Sequence, residues 1–320
     1  MPVLAIPVRA PFDFAKTRAF VASFPPCQAD FLVDGEGIIG AHAVGAEAVA
    51  WRLGPGAGAS LRLELGGAPA APVAAEVARL VAACVGADDD LTDFYARAAA
   101  DHPAYRAIVR AHHGLHHVRF PSLAEVTCYA ILAQRTPMAV AAAHKRRLVA
   151  AYGAVAHLGA HAVPAFPTLA TLRTVAEADL AELLHHPEKA RRLHGAIAAI
   201  DDLGLDFLRT GPYDRVAAAL GAIRGIGPFS VAMILLRGLG RTDYMDPRSA
   251  PFAAIGRAVY GEAWDPDVVA RRYGPTIGTW AYYLRVGEPE GLRAPRTMRP
   301  ARTSRPRVPR TARPPVHATP

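Results

Sequence analysis

The segment LGAIRGIGPFSVAMILLRGLG, residues 220–240, constrains the fold of this chain more than any other. Its apolar run is interrupted by Gly225, Ile226 and Gly227, and a second apolar run starts at Pro228. Both glycines can take positive φ without penalty, and proline suits the first position of a helix because an N–H there would be unpaired anyway. The pattern therefore predicts two helices joined by a very tight hairpin, with Ile226 filling the angle between them.

This hairpin has the chemistry of an anion site. Its amide groups precede a helix N-terminus, where the partial positive charge of the helix favours a negatively charged ligand. Arg224 adds a full positive charge nearby, so a nucleic-acid phosphate is the natural occupant. The alternative is a plain packing turn between two buried helices. Gly238 and Gly240 are suited to end the second helix.

Composition predicts two domains plus an extension. The chain has 320 residues and 52% apolar content, which is enough for a large core. No segment approaches the roughly 20 apolar residues of a spanning helix, and the N-terminus lacks a basic segment before an apolar one, so we expect no membrane association. Cys27, Cys84 and Cys128 are far apart, which argues against a disulfide framework, a structural zinc or a four-cysteine cluster.

The net charge of +8 lies entirely in the last thirty residues. Residues 291–320 contain eight arginines, seven prolines and no acidic residue, so the rest of the chain is formally neutral. A segment of this composition cannot build a core, and we expect it to be a disordered tail. Its expected action is sequence-independent attraction to polyanions, and the alternative is a solvated tail without a specific role.

Periodicity predicts a mainly α, overall α+β protein. A helix at about residues 12–24 precedes the strand-like segments ADFLVD, GIIGAHAV, AVAWRLG and SLRLELGG, which indicate a small antiparallel sheet. From about residue 72 onward nearly every segment has helical spacing. We therefore predict an N-terminal α+β domain over residues 1–115, a helical domain over 116–290 and the tail over 291–320.

Several separate segments resemble one family, the helix-hairpin-helix DNA glycosylases, and within it the AlkA-type 3-methyladenine DNA glycosylases. The resemblance covers about residues 8–287, in the order and spacing of the family. Its segments are APFDF, the sheet region, DDDLTDFYARAAADHP, GLHHVRFPSLAEVTCYAILAQRTP, FPTLATL with HPEKARRL, IRGIGPFSVAMILLRG and TWAYYLR.

The resemblance implies excision of a damaged base that is first extruded from the duplex, because the glycosidic bond is out of reach inside the base stack. It assigns Gly225, Ile226, Gly227 and Ser230 to a backbone phosphate near the lesion, with Arg224 beside them.

The segment Ala133, Gln134, Arg135 and Thr136 resembles the family's loop that fills the gap left by the extruded base, with Arg135 as the wedge. A guanidinium suits this role because its plane can stack on bases and also hydrogen-bond the orphaned partner. The alternative is a surface arginine at a helix end.

Phe229 stands where glycosylases that also nick the strand have a lysine, so the resemblance implies a monofunctional enzyme. An aromatic ring there faces the extruded base, and its stacking on an electron-poor alkylated purine resembles a cation–π contact. Met233 on the same helix and Trp280 on the last helix are assigned to the same pocket. Packing in the core is the alternative for Phe229.

The chain departs from the family at its catalytic carboxylate. Counting from Gly227, the family's Asp falls on Ser249, and a neutral hydroxyl cannot supply the fixed negative charge that stabilises the positively charged sugar. Asp246 lies three residues earlier, within about 10 Å of extended chain. Asp243 is a weaker candidate because its family counterpart lies at the loop entrance.

Three explanations remain open. Asp246 is the substitute carboxylate, or the enzyme is weakened and relies on the easy departure of a cationic purine, or the protein binds lesions without chemistry. We expect no cofactor, duplex DNA with damaged bases as the partner, a monomer, and a cytoplasmic location on the nucleoid.

The run of His112, His113, His116 and His117 suggests a metal site, since imidazoles at this spacing share a helical face. Gly114 interrupts the helix and no carboxylate or cysteine is adjacent. We therefore interpret the run as a polar connection between domains.

Overall fold

A computed structural model describes residues 1–23 and 31–288. Cys27 and the predicted tail at 291–320 lie outside these described residues. Helices dominate, and the predicted mainly α architecture with a small antiparallel sheet is confirmed.

The N-terminal sheet has five antiparallel strands in the spatial order β1-β5-β4-β3-β2. Successive side chains of a strand point to opposite faces of the sheet. On β5, Leu61, Leu63 and Leu65 are therefore buried on the inner face, while Arg62 between them is exposed. Sequence analysis missed β1, which pairs with β5. The strands are β1 Val3–Pro7, β2 Leu32–Asp34, β3 Gly37–Val44, β4 Glu47–Pro55 and β5 Ser60–Leu65.

Helix α2, Ala71–Val85, covers one face of this sheet. Its Val77 and Val81 are fully buried in one cluster with Trp51 and Leu63 of the strands. Helix α1, Phe14–Ser23, lies where a helix is predicted, and its Val21 joins the same cluster.

The remaining helices form two further cores. They are α3 Thr92–Ala99, α4 Pro103–Ala111, α5 Leu123–Leu132, α6 Met138–Tyr152, α7 Leu169–Arg173, α8 Glu177–Leu184, α9 Pro187–Leu203, α10 Leu205–Thr210, α11 Tyr213–Gly221, α12 Pro228–Ala232, α13 Ala250–Tyr260, α14 Pro266–Tyr273 and α15 Ile277–Val286. A π-helical segment, Met233–Gly238, continues α12 without a break.

Helix α5 is the centre of the larger helical core. All its side chains from Ala124 to Leu132 are buried, as expected of a helix that is apolar on every side. Its one charged residue, Glu125, is matched by the ammonium of Lys145 on α6 at 2.5 Å. A buried carboxylate needs such a partner, so this ion pair fixes α6 against α5.

The second helical core joins distant parts of the sequence. Phe94 of α3 and Tyr105 of α4 are fully buried together with Tyr273 and Trp280 of the last two helices. The segment before residue 115 therefore contributes to two cores, and the domain boundary predicted there stays a prediction.

The expectation of helices throughout the second domain is wrong for residues 154–165. Strands β6, Ala154–Leu158, and β7, His161–Ala165, form an antiparallel hairpin instead. Alternate residues of the hairpin pack on Ile39 and Ala50, on the face of the N-terminal sheet opposite α2. Two such short strands are stable only because the sheet covers them, a long-range contact that periodicity does not reveal.

Among the described residues, no helix is long and apolar enough to cross a membrane.

Candidate nucleic-acid interface

The predicted hairpin is present between α11 and α12. Gly225 has φ of 93°, a conformation that favours glycine. Gly227 has φ of −92° and ψ of 178°, so it does not use the positive φ that a glycine can take and is an extended N-cap instead. Ile226 is 4% exposed and packs in the main helical core, as its predicted plugging role requires.

The hairpin leaves backbone donors unused. Within residues 1–23 and 31–288, the N–H groups of Gly225 and Gly227 find no hydrogen-bond acceptor, whereas the N–H of Ile226 donates to the Ile223 carbonyl at 2.9 Å. Arg224 presents a side chain that is 75% exposed, with its guanidinium 3.7 Å from the Glu188 carboxylate. The hairpin thus offers two amides and one cation to an anion from solvent.

The predicted wedge loop, residues 133–136, lies directly beside the hairpin. Arg135 is exposed at its tip and has φ of 48°, a strained value for an arginine. The Gln134 side-chain amide donates to the Gly225 carbonyl at 2.6 Å and to the Ser230 hydroxyl at 3.2 Å. Gln134 therefore connects the wedge loop to the hairpin and sets the distance between them.

Lys189 of α9 anchors the same loop from below. Its ammonium donates to the Leu132 carbonyl at 2.9 Å and to the Gln134 carbonyl at 3.3 Å, and it also contacts the Thr136 hydroxyl. The side chain is 7% exposed, and burial lowers its pKa below the ordinary value. Sequence analysis gave no role in the site to this residue, because only the fold brings α9 under the loop.

The Ser230 hydroxyl faces inward, so the predicted phosphate contact of this residue stays a prediction for its backbone N–H. The residue is 2% exposed, and its hydroxyl donates to the Ala130 carbonyl at 3.3 Å while it accepts from Gln134. Its position makes it a link between α12, α5 and the wedge loop, with the hydroxyl facing inward.

The three residues assigned to the base pocket lie in unlike surroundings. Phe229 is 67% exposed, which leaves its ring available to a ligand. Met233 is partly buried against the main helical core. Trp280 is 0% exposed, and its indole N–H donates to the Tyr260 hydroxyl at 2.9 Å. Trp280 thus has no free surface to offer a base, because α13 and α14 cover it.

The acid loop, residues 243–249, folds back on itself. Ser249 is the N-cap of α13, and its hydroxyl donates to the Asp246 carbonyl at 2.7 Å. The Asp246 Oδ1 accepts the N–H of Arg248 at 2.9 Å. Asp246 is half-buried, and its Oδ2 accepts no hydrogen bond from the described part of the chain. One carboxylate oxygen of Asp246 is therefore available.

Asp243 is engaged elsewhere. Burial favours its neutral form, but hydrogen bonds from the Arg241 guanidinium, one of them at 2.9 Å, outweigh this and lower the pKa of Asp243. Arg241 also lies over the Tyr213 ring at 5.3 Å from its centroid. The Asp243 carboxylate therefore stays ionised and is engaged in an ion pair with Arg241.

The histidine run is built into the structure. The ring nitrogens of His116 lie 2.6 Å from the Gly86 carbonyl oxygen and 2.8 Å from that of Pro11. The His117 ring lies 4.3 Å from that of Tyr282, and burial, reinforced by Arg237, holds its pKa well below the ordinary value. No cluster of three or more metal-ligating side chains occurs among the residues described.

Arg237 is a further polar residue that sequence analysis missed. It lies in the π-helical segment, with its guanidinium 5.5 Å from the ring centroids of both Phe20 and Tyr282. One of its nitrogens is 3.2 Å from His117. No sequence signal identifies it, because its partners come from α1 and α15.

Two cavities lie away from the predicted base-pocket residues. One, of ≈ 310 Å³, lies between the sheet and the helical core, and its lining includes Glu76, Arg79 and Arg209. The other, also of ≈ 310 Å³, adjoins the hairpin at Ile223 and Arg224. Neither is lined by Phe229, Met233 or Asp246.

Sequence comparison finds relatives over about half of the chain. A DNA-3-methyladenine glycosylase from Bacillus subtilis is 29% identical over 152 residues, which cover 47% of this chain and 50% of that protein. A probable bifunctional transcriptional activator/DNA repair enzyme AlkA from Mycobacterium tuberculosis is 30% identical over 154 residues, 48% of this chain and 30% of that protein. The chain thus matches half or less of each relative's length. No family model matches it.

Structure comparison covers nearly the whole chain. A 3-methyladenine DNA glycosylase from Archaeoglobus fulgidus superposes with a TM-score of 0.73 at 17% identity, over 88% of this chain and 97% of that one. An 8-oxoguanine glycosylase/lyase from Clostridium acetobutylicum gives a TM-score of 0.64 at 14% identity, over 89% and 96%. At these identities the likeness establishes the fold. Together with the sequence relatives, it confirms the predicted resemblance to the helix-hairpin-helix DNA glycosylases and their AlkA-type members.

Proposed function

We propose that the chain is a monofunctional DNA glycosylase that excises alkylated purines after flipping them out of the duplex. The observation that carries the proposal is the direct contact between hairpin and wedge loop, where Gln134 donates to the Gly225 carbonyl at 2.6 Å. A phosphate clamp and a wedge act together only if their spacing is fixed. The relatives named as 3-methyladenine glycosylases support alkylated purines as the substrate class.

In this proposal the free amides of Gly225 and Gly227 hold a phosphate beside the lesion. Arg135, exposed at the end of its anchored loop, enters the gap in the stack and bonds the orphaned base. Holding the side chain in advance reduces the entropy lost on binding, because its loop is already ordered. The exposed ring of Phe229 then stacks on the extruded, electron-poor purine.

Strand cleavage is not part of the proposed reaction. A Schiff base requires a primary amine, and position 229 carries a phenyl ring. The amine of Lys189 contacts the wedge loop, but its ammonium already donates hydrogen bonds to two carbonyls and contacts a hydroxyl. Water is therefore the proposed acceptor of the sugar.

Asp246 is the proposed carboxylate. Its available Oδ2 stabilises the positive charge that develops on the sugar, and a cationic purine leaves without prior protonation. Because Oδ1 is tied to the Arg248 N–H, the carboxylate keeps one orientation relative to the start of α13.

The test is release of 3-methyladenine and 7-methylguanine from alkylated DNA. We expect release by the wild type and a loss of about 10²-fold for Asp246→Asn, the scale of losing one preorganised electrostatic group. Asp243→Asn, in the same loop but paired with Arg241, is the matched control and should stay within a few-fold of wild type. Unimpaired Asp246→Asn with an active wild type removes Asp246 from the mechanism.

A second function is favoured by one specific observation. Ser249 replaces the family's Asp, and its hydroxyl is turned into the acid loop toward the Asp246 carbonyl. This arrangement suits a protein that binds and flips lesions without excising them. Tight lesion binding by wild type with no base released above background would select this alternative.

A further inference from the structure

A basic groove adjoins the hairpin on the side of α9. It is the second ≈ 310 Å³ cavity, and its walls include Glu177, Arg191, Arg192, His194 and Arg224. Three arginines from two segments converge here, two of them on α9 and one in the hairpin. Sequence analysis singled out Arg224 alone, since the other two precede it by more than thirty positions.

One carboxylate holds all three arginines. Glu188 lies 3.2 Å from a nitrogen of Arg191, 3.1 Å from Arg192 and 3.7 Å from Arg224. The hydrogen bond from Arg192, together with the charges of all three, lowers the pKa of Glu188, so it is ionised at neutral pH. Glu177 approaches Arg191 at 3.5 Å. Three guanidinium groups against two carboxylates leave the groove positive.

The groove is continuous with the hairpin amides. A Cβ atom added to Gly225 would lie 3.0 Å from the Cβ, Cγ and Cδ atoms of Arg192, so the stem of this arginine rests on the hairpin backbone. Its guanidinium is thus within a side-chain length of the free amides. Successive phosphates of one strand are separated by only about 3.4 Å along the duplex axis.

We propose that this groove binds the phosphates next to the one held by the hairpin, through Arg191, Arg192 and Arg224. This inference rests on the proposed function for its ligand, a DNA strand. Glu188 is a positioning residue that keeps the three guanidinium groups converged before DNA arrives. Each guanidinium keeps nitrogens beyond the one bonded to Glu188, and these form charge-assisted hydrogen bonds to phosphate oxygens.

The experiment measures binding of the full chain to an undamaged duplex by fluorescence anisotropy at several salt concentrations. Each lost phosphate contact reduces the steepness of log affinity plotted against log salt concentration by about 0.9. Over a fourfold increase in salt, the affinity of the variant therefore falls about 3.5-fold less than that of the wild type. We expect about this decrease for Arg191→Gln and about twice it for the double variant Arg191→Gln/Arg192→Gln.

Arg62→Gln is the matched control, because it removes the same charge from an exposed position on β5. It should leave the slope unchanged. Melting curves check that each variant folds. Arg191→Gln keeps the Arg192 stem on the hairpin, so this variant still tests the groove if the double variant disturbs the hairpin. Inorganic phosphate at constant ionic strength is the competitor that separates a free-anion site from a DNA site, and we expect it to displace little DNA.

A double variant with the wild-type slope overturns the groove proposal, as does displacement of DNA by inorganic phosphate at low concentration. If no base is excised but the slope is still reduced in the variants, the proposed enzymatic activity is contradicted and the proposed phosphate binding by the groove is supported. The two failures are therefore distinguishable.

Discussion

The wedge loop and the acid loop hold their candidate functional side chains in different ways. The wedge loop is tied to other elements, since Lys189 of α9 reaches its carbonyls and Gln134 reaches the hairpin. The side chains of Asp246 and Ser249 in the acid loop instead bond within that loop. The proposed phosphate-binding part thus depends on backbone geometry supported by tertiary contacts, whereas the proposed chemistry depends on one side chain.

This difference explains why one part can be kept while the other diverges. Amides of a glycine hairpin retain their function through many changes of side chain, because the backbone supplies the donors. A catalytic carboxylate has no such tolerance, since replacing it with a hydroxyl removes the charge.

The largest expected effect is a gain from Ser249→Asp. It restores a carboxylate at the N-cap of α13, a position that accepts Asp as readily as Ser. If the acid loop limits the chemistry, excision of 3-methyladenine should rise by about 10²-fold. Ser249→Asn, of the same shape without charge, is the control. An equal gain for both variants would contradict the electrostatic reason.

Lys189→Met should break the anchoring of the wedge loop. It leaves the Leu132 carbonyl without its buried donor, at a cost of about 1 to 3 kcal/mol of unfolding free energy, and leaves the Gln134 carbonyl with the Thr136 hydroxyl as its donor. Base flipping, followed by 2-aminopurine fluorescence in a duplex, should fall more than duplex affinity falls. Lys16→Met, which removes a hydrogen bond to the His113 carbonyl at an exposed site, is the control. Equal losses of flipping in both variants would refute the anchoring role.

The two hairpin glycines should respond unequally to alanine. Gly225→Ala puts a side chain at φ of 93° against the Arg192 stem and should cost about 1 to 3 kcal/mol of unfolding free energy. Gly227→Ala, at φ of −92° with nothing within 4 Å of the new Cβ, should change it by about 0.5 kcal/mol or less. Urea unfolding measures both. Equal costs would show that the hairpin is not held as described.

The smallest expected effect is Arg135→Gly, which should separate stability from function. Glycine accepts φ of 48° without the strain of an arginine, so the unfolding free energy should rise by up to about 1 kcal/mol. Flipping should fall because the wedge is gone. A less stable variant that still flips bases would contradict both assignments for Arg135.

The sequence predicted the local parts of the site but not the contacts between segments that are distant along the chain. The hairpin was located from a short motif, because glycine and proline act on their own backbone, and the wedge loop was located from its resemblance to the family's loop. The inward hydroxyl of Ser230, the burial of Trp280 and the strands at 154–165 were not foreseen. Each depends on which element packs on top of the residue, which a motif does not encode.

The amino-acid sequence by itself determined the tight hairpin, most strands of the sheet, and the absence of an aspartate at position 249, since these follow from residue identity and local backbone preference. Tertiary structure alone decided that Lys189 lies under the wedge loop, that Gln134 bridges to Gly225, and that Glu188 meets Arg224 beside the hairpin. The physical reason is distance along the chain. Such contacts join residues separated by tens of positions, and only the packing of α5, α9 and the hairpin into one core brings them within hydrogen-bonding reach.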